Sequence, residues 1–411
     1  MSRKDKPSNI VDGIMRIVRE KLSGRPWPPM APADLDATSI AVLSARLLLE
    51  LSPATANAKK YEEELVRNHL RLLYSVNDQR RTIVTGSSPE PLIAEASAQI
   101  MHYFIQENQP YFNYWFLLEK YVDHGLANQG AIGELIGRAL SISAMDCAIE
   151  NLHGHSELKY QTPITVADYY QAFLTNDAWE VLRKSTPANR SRLSSDSANT
   201  KFEDAFKNAY FHYSHYGKAN DSSPMSDKYA WALWLRGTAV VCKNCQELTD
   251  RMAPIYFSDE GGVSPKTISV SLDQDKTGQD ANPANIGIQP AEHLSIFSHG
   301  KKLPYIAAVH CYALTKRQGI TVSTESSHDL RKQGEDLEAP RYQIDFRGLS
   351  EYNISDSIKS TIRRMIDKSN DAVFYNHTRD YCVPLLRQML PVLTKDADST
   401  KWFGGLNSGA A

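Results

Sequence analysis

Apolar residues fall at helical spacing through the first third of the chain. Ile10, Ile14, Ile17 and Val18 share one face of a segment running to Leu22, and Ser8 stands where a capping hydroxyl belongs. Pro26, Pro28, Pro29 and Pro32 then end it. The same period predicts helices over about 34–51, 59–77 and 91–106. In the aromatic stretch that follows, Tyr111, Phe112, Tyr114, Trp115, Phe116 and Tyr121 keep helical spacing, which favours buried core over base stacking. Gly125 and Gly130 bracket a turn before a helix over about 131–152. Beyond Pro163 and Val166 another helix is predicted through Leu182. A Ser-, Asn- and Arg-rich stretch over 184–200 reads as an exposed loop, and helix resumes over about 201–216.

After Lys228 the pattern changes. Short β-prone runs cover about 234–241, 248–257, 267–275, 304–314 and 341–348, separated by turn residues. Helices over about 355–367 and 380–393 close the chain. No repeat of fixed period is present. Helices around a short sheet indicate an α/β or α+β fold.

The 411 residues are 42% hydrophobic and 23% charged, the proportions of an ordinary globular chain. At about 100–200 residues per domain, that length favours two or three packed units. The pattern suggests a helical N-terminal region over 1–90, a core over 91–393 with a helical insertion at about 155–230, and a tail over 394–411. The balance of 46 Lys+Arg against 48 Asp+Glu excludes a strongly basic coat protein, while leaving room for a local basic groove. No apolar run approaches the roughly 18 residues of a membrane span, so no membrane partner is expected. Five cysteines and the lack of a secretory pattern point to reduced thiols and an intracellular setting, cytoplasm or nucleus. The N-terminal helices either meet a protein partner or extend the core.

Several familiar sites are missing: there is no Gly-x-x-x-x-Gly-Lys-Ser/Thr loop, no Gly-x-Gly-x-x-Gly, no His-Glu-x-x-His and no Gly-x-Ser-x-Gly. Cys242 and Cys245 have CxxC spacing without a second pair nearby. The pairs His153/His155 and His212/His215 are isolated as well. Zinc needs four converging ligands, so ordinary structural roles fit these residues better.

The constellation that stands out is Asp250 followed by Gln274-Asp275-Lys276. In the strand that ends there, Ile268, Val270 and Leu272 share one face, and alternation sends Gln274 and Lys276 to the same face at its far end. Polar groups there are expensive to bury without partners. Asp250 begins the preceding β-prone run, so antiparallel pairing would bring it beside them. A carboxylate and an amide oxygen suit a hard cation such as Mg²⁺. Such a cation activates water and neutralises phosphate charge, and Lys276 would stabilise the oxyanion. The competing reading is a solvated strand end. Glu134 falls on a largely apolar helix: it either pairs with Arg138 at i,i+4 or points a carboxylate at that metal.

Glu134 on a helix, Asp250 on one strand and Gln274-x-Lys276 on the next resemble the PD-(D/E)xK nuclease superfamily. The variant is the one with Gln-x-Lys in place of Glu-x-Lys, as in Mrr-like restriction endonucleases. Over roughly residues 90–390 the chain also resembles a large group of proteins from mushroom-forming fungi. The matching segments include Gly133-Glu134-Leu135, Pro163-Ile164-Thr165-Val166, Phe211-His212-Tyr213-Ser214-His215-Tyr216 and Arg347-Gly348-Leu349-Ser350.

The resemblance implies a restriction-endonuclease-like core, a mixed sheet flanked by helices. It implies a Mg²⁺- or Mn²⁺-dependent nuclease with Glu134, Asp250 and Gln274 on the metal side and Lys276 as the catalytic lysine. The implied partner is nucleic acid, DNA before RNA. Two departures stand out: Asp273 and Asp275 flank Gln274, and Thr277 replaces the usual Asn. Facing the metal, the extra acids would strengthen cation binding; facing the phosphates, they would repel them and the site would be degenerate. The alternative to an enzyme is therefore a nuclease-fold module that binds nucleic acid or protein without cutting.

Overall fold

A computed structural model describes residues 10–24, 26, 36–51, 56–68, 70–76, 83–86, 90–106, 114–123, 131–152, 158–219, 226–242, 249–278, 302–315, 318–322 and 339–370. The first helices follow the apolar period: α1 (Ile10–Ser23), α2 (Ala37–Leu47) and α3 (Ala56–Arg67). Asp36 caps α2, its carboxylate accepting from Ser39 N at 2.7 Å, and Leu48 ends it in the left-handed region at φ 52°. The helix expected over 59–77 stops at Arg67, because Leu72–Val76 forms β1 and pairs antiparallel with β2 (Ile83–Gly86). Then come α4 (Pro91–Gln106), α5 (Tyr114–Asp123) and α6 (Ile132–Asn151). Trp115 and Tyr121 of the aromatic stretch are buried, whereas Tyr111 and Phe112 lie outside the described residues.

β3 (Ile164–Thr165) leads into α7 (Val166–Phe173) and α8 (Asn176–Arg183). These were expected as one helix. Two hydroxyl caps divide them: Thr165 accepts from Asp168 N at 3.0 Å and Thr175 from Ala178 N at 3.4 Å. The stretch read as an exposed loop over 184–200 holds α9 (Ser195–Asn199) and the buried Asn189, whose amide donates to Ala339 O at 3.0 Å. The helix expected over 201–216 shrinks to α10 (Phe202–Ala205), followed by β4 (Ala209–Phe211) and β5 (His215–Lys218). Phe211, Tyr213 and Tyr216 are buried there, and aromatics of this density favour a pleated surface. α11 (Asp227–Leu235) replaces the front of the run over 234–241, leaving β6 (Thr238–Val241). The chain continues through β7 (Arg251–Phe257), β8 (Ile268–Lys276), β9 (Tyr305–Cys311), β10 (Gly319–Val322), β11 (Arg341–Arg347) and α12 (Asp356–Asn370). The helix expected over 380–393 lies outside the described residues.

The main sheet runs in the order β10-β11-β9-β8-β7-β4-β3, with β6 paired to β7 and β5 to β6. β7 and β8 are antiparallel, while β8, β9 and β11 run parallel. The three parallel strands therefore present their carboxyl ends at one end of the sheet. The segment expected as a helical insertion contributes β3, β4 and β5 to it. On one face, Ala253, Ile255, Ile306, Ala308, Ile344 and Phe346 join a core that extends from Met15 to Ile366 and includes much of α6. On the other, Ile268, Val270, Leu272, Ala307 and Val309 pack with Ala230, Leu233 and Trp234 of α11. The class is mixed α/β. Among the described residues no helix is long and apolar enough to cross a membrane.

Candidate active site

The β7–β8 hairpin places Asp250 at the carboxyl end of β8. Its backbone N–H donates to Asp273 O at 2.9 Å and its carbonyl accepts from Cys242 N at 2.8 Å. Arg251 also stands opposite Asp273 in the ladder, so two successive residues address one, as in a β-bulge. The bulge frees the Asp250 side chain to accept from Asp275 N at 2.7 Å. Burial, and then the charge of Asp275, raise the Asp250 carboxyl above its ordinary range, against a pull from Lys276.

Glu134 occupies the first turn of α6. A helix amino terminus favours a carboxylate, yet burial lifts this one to about 7. Arg138 opposes the rise, and the charges of Asp250 and Asp275 add to it. The i,i+4 spacing brings Arg138 into charge range without contact: among the described residues Glu134 forms no ion pair, and the buried Arg138 Nε has no hydrogen-bond partner.

Asp275, one of the two extra acids, is spent on structure. Its carboxylate accepts from Arg251 Nε at 2.6 Å, Arg251 Nη2 at 3.0 Å and the Tyr312 hydroxyl at 2.7 Å. Burial alone would raise it; Arg251 overrides that and holds it below the usual carboxylate range. Arg251 Nη1 donates in turn to Ser141 Oγ at 2.8 Å and the Tyr216 hydroxyl at 3.1 Å. Gly137 of α6 lies over this pair, and a Cβ there would overlap Asp275 Oδ1 and stand 2.7 Å from Arg251 Nη2. The other extra acid, Asp273, meets His310 Nε2 at 3.0 Å, and His310 Nδ1 lies 2.8 Å from the Tyr352 hydroxyl. Sequence reasoning missed this network. Its signal was a lone Arg251 in an otherwise apolar strand, two dozen residues before a carboxylate of matching phase.

Gln274 and Lys276 leave β8 on the opposite side. They continue the face of Ile268, Val270 and Leu272, away from α6, and the Lys276 charge acts on Cys311 of that second core. Gln274 Oε1 is buried with no hydrogen-bond partner. Lys276 forms no ion pair among the described residues. The fold thus brings Glu134 and Asp250 into one electrostatic group with Lys276 in reach of Asp250, and sets Gln274 on the sheet face turned from the helix.

Elsewhere the candidates have ordinary partners. His212 stands 2.9 Å from Trp234 O and 3.0 Å from Gln161 O, and His215 lies buried against Ser214 and Thr238. Cys242 is buried; Cys245, His153 and His155 lie outside the described residues. Arg236 sits 3.6 Å from Glu90. Among the described residues no three His, Cys, Asp or Glu side chains gather as a metal-binding group. No family model, no curated protein and no solved structure matches the chain.

Proposed function

We propose that this chain is a metal-dependent nuclease of the restriction-endonuclease type, hydrolysing phosphodiester bonds at the carboxyl end of β8. The observation that carries the reading is the Glu134–Asp250 pair. Two half-buried carboxylates raise the local negative potential, and among the described residues Lys276 acts on Asp250 without an ion pair to another carboxylate. Such a pair is costly unless a cation serves it. The order of elements agrees: a helix bearing a carboxylate, an antiparallel hairpin, then a parallel strand.

By donor chemistry Glu134 and Asp250 fit a hard divalent cation, because both offer carboxylates; Gln274, on the sheet face turned from α6, is not among its ligands. Mg²⁺ or Mn²⁺ held there would acidify a water and neutralise phosphate charge. The protein's own part is positional. The Asp275 N–H fixes Asp250, and the Lys276 ammonium stabilises charge building on the phosphate oxygens. Glu134 sheds its proton near pH 7 and serves as an anion above it.

A second reading, a non-cutting module on the same scaffold that binds nucleic acid or protein, has one observation in its favour: Asp275 is closed off by Arg251 and Tyr312. The test compares wild type, Asp250→Ala and Lys276→Ala for Mg²⁺- and Mn²⁺-dependent cutting of plasmid, single-stranded DNA and RNA. Cutting by wild type and its loss in both variants is the expected result. Equal cutting by all three, or none by any, overturns the nuclease reading.

A further inference from the structure

The register of the parallel strands puts Lys276 of β8, Cys311 of β9 and Arg347 of β11 in one row across the sheet. The row extends to the strand ends, where Tyr312 N donates to Lys276 O at 3.0 Å and Gly348 N to Cys311 O at 2.9 Å. All three side chains emerge on the same face. Tyr342, Ile344 and Phe346 belong to the core on the α6 side, so alternation turns Gln343, Asp345 and Arg347 to the other. Cys311 lies between them in the row, its thiol pushed up by burial and by Asp345 and pulled down by Arg347 and Lys276.

Both cations are half-buried, and their charges act on Asp250 (Lys276) and Asp345 (Arg347) without contact. Neither forms an ion pair among the described residues, and Arg347 Nε is buried without an acceptor. Ordinary strand spacing puts their Cα atoms about 10 Å apart, a gap that a lysine and an arginine side chain close on one tetrahedral anion. Gln274 lies one position deeper on the same face, opposite Val309 and, beyond it, Asp345. Asp345 lies in that row and Asp250 in reach of Lys276; Gln343 Nε2 donates to Asp345 at 2.8 Å, and burial pushes that carboxyl above the ordinary range against the pull of Arg347 and Arg341. The carboxyl ends of parallel strands are where open α/β sheets take their ligands.

We infer that Lys276 and Arg347 together form a phosphate-binding position over Cys311 that grips the backbone of the nucleic-acid strand, with Arg347 as a substrate-positioning residue. Arginine suits the task, since its planar fork offers paired donors to phosphate oxygens and keeps its charge when half-buried. The identity of the ligand rests on the nuclease reading; the anion site itself does not.

The test is equilibrium binding of fluorescein-labelled single-stranded DNA and RNA oligonucleotides to the full chain, in EDTA so that no cutting intervenes. Wild type is compared with Arg347→Gln, Arg347→Lys and Lys276→Ala over a range of salt. Losing one phosphate contact should weaken binding about tenfold at low salt for Arg347→Gln and Lys276→Ala, and lower the slope of log affinity against log salt by about 0.7. Arg347→Lys should recover part of the loss. Unchanged affinity and slope in a folded Arg347→Gln protein overturn the inference, as does an absence of oligonucleotide binding by wild type. Binding of inorganic phosphate alone, without oligonucleotide, also overturns the strand assignment. Failure to cut with Mg²⁺ while these binding losses hold would sink the nuclease reading and leave the anion site standing.

Discussion

Replacing Glu134 by Gln tests the electrostatic core of the site. In the folded chain this carboxyl rises from an ordinary 4.5 to about 7, chiefly through burial. The folded protein therefore holds the proton more tightly than the unfolded chain does. The stabilisation is complete below pH 4.5 and is lost as pH rises through about 7. A gap of about 2.5 pH units at roughly 1.36 kcal/mol each comes to about 3 kcal/mol, and residual solvent contact trims that to about 2–3 kcal/mol. Gln has the same shape and no charge to bury. At about 2.1 cal/mol/K of unfolding entropy per residue, a chain of 411 residues converts that energy into about 2–3 °C. Thermal melts in EDTA should show Glu134→Gln above wild type by that margin at pH 8 and level with it at pH 4.5. Excess Mg²⁺ at pH 8 should then raise wild type more than the variant. A variant that melts below wild type at pH 8 in EDTA would refute the reasoning, because it would mean the carboxylate already has a cationic partner.

The packing of α6 on the hairpin gives two further expectations. Gly137→Ala forces a methyl into the Arg251–Asp275 pair, and overpacking of this kind should cost about 1–3 kcal/mol in denaturant melts; an unchanged midpoint would show that the pair moves freely. Asp275→Asn leaves the buried Arg251 guanidinium short of its bidentate partner and should cost about 3–5 kcal/mol, largely recovered by a volume-matched apolar double replacement of Arg251 and Asp275. A cost under about 1 kcal/mol for Asp275→Asn would place that carboxylate in solvent.

The legible parts of the fold were those where a single period governs a long segment. α4 and α6 follow the apolar repeat almost to their ends, and β7, β8, β9 and β11 coincide with β-prone runs. Where aromatic density rises the two periods blur, and residues 209–211 and 215–218 are strands because they pair with β7 and β6, partners that only tertiary context supplies. Asp250 and Glu134 could be singled out because a carboxylate on an apolar element is anomalous. Arg251 was anomalous in the same way, but His310 and Tyr312 are unremarkable until the register aligns Asp273 with Ala308 and Asp275 with His310.

That alignment also decides what the extra acids do. In the run Asp273-Gln274-Asp275-Lys276, alternation divides the four residues between the two faces of the sheet. Both acids turn toward α6, where His310 takes one and Arg251 with Tyr312 takes the other. They brace the hairpin and keep their charge off the opposite face. The face that carries Lys276 holds Arg347 as well, with Asp345 in the row behind. The two extra acids are thus taken up by His310, Arg251 and Tyr312 on the α6 face rather than set beside Lys276 and Arg347.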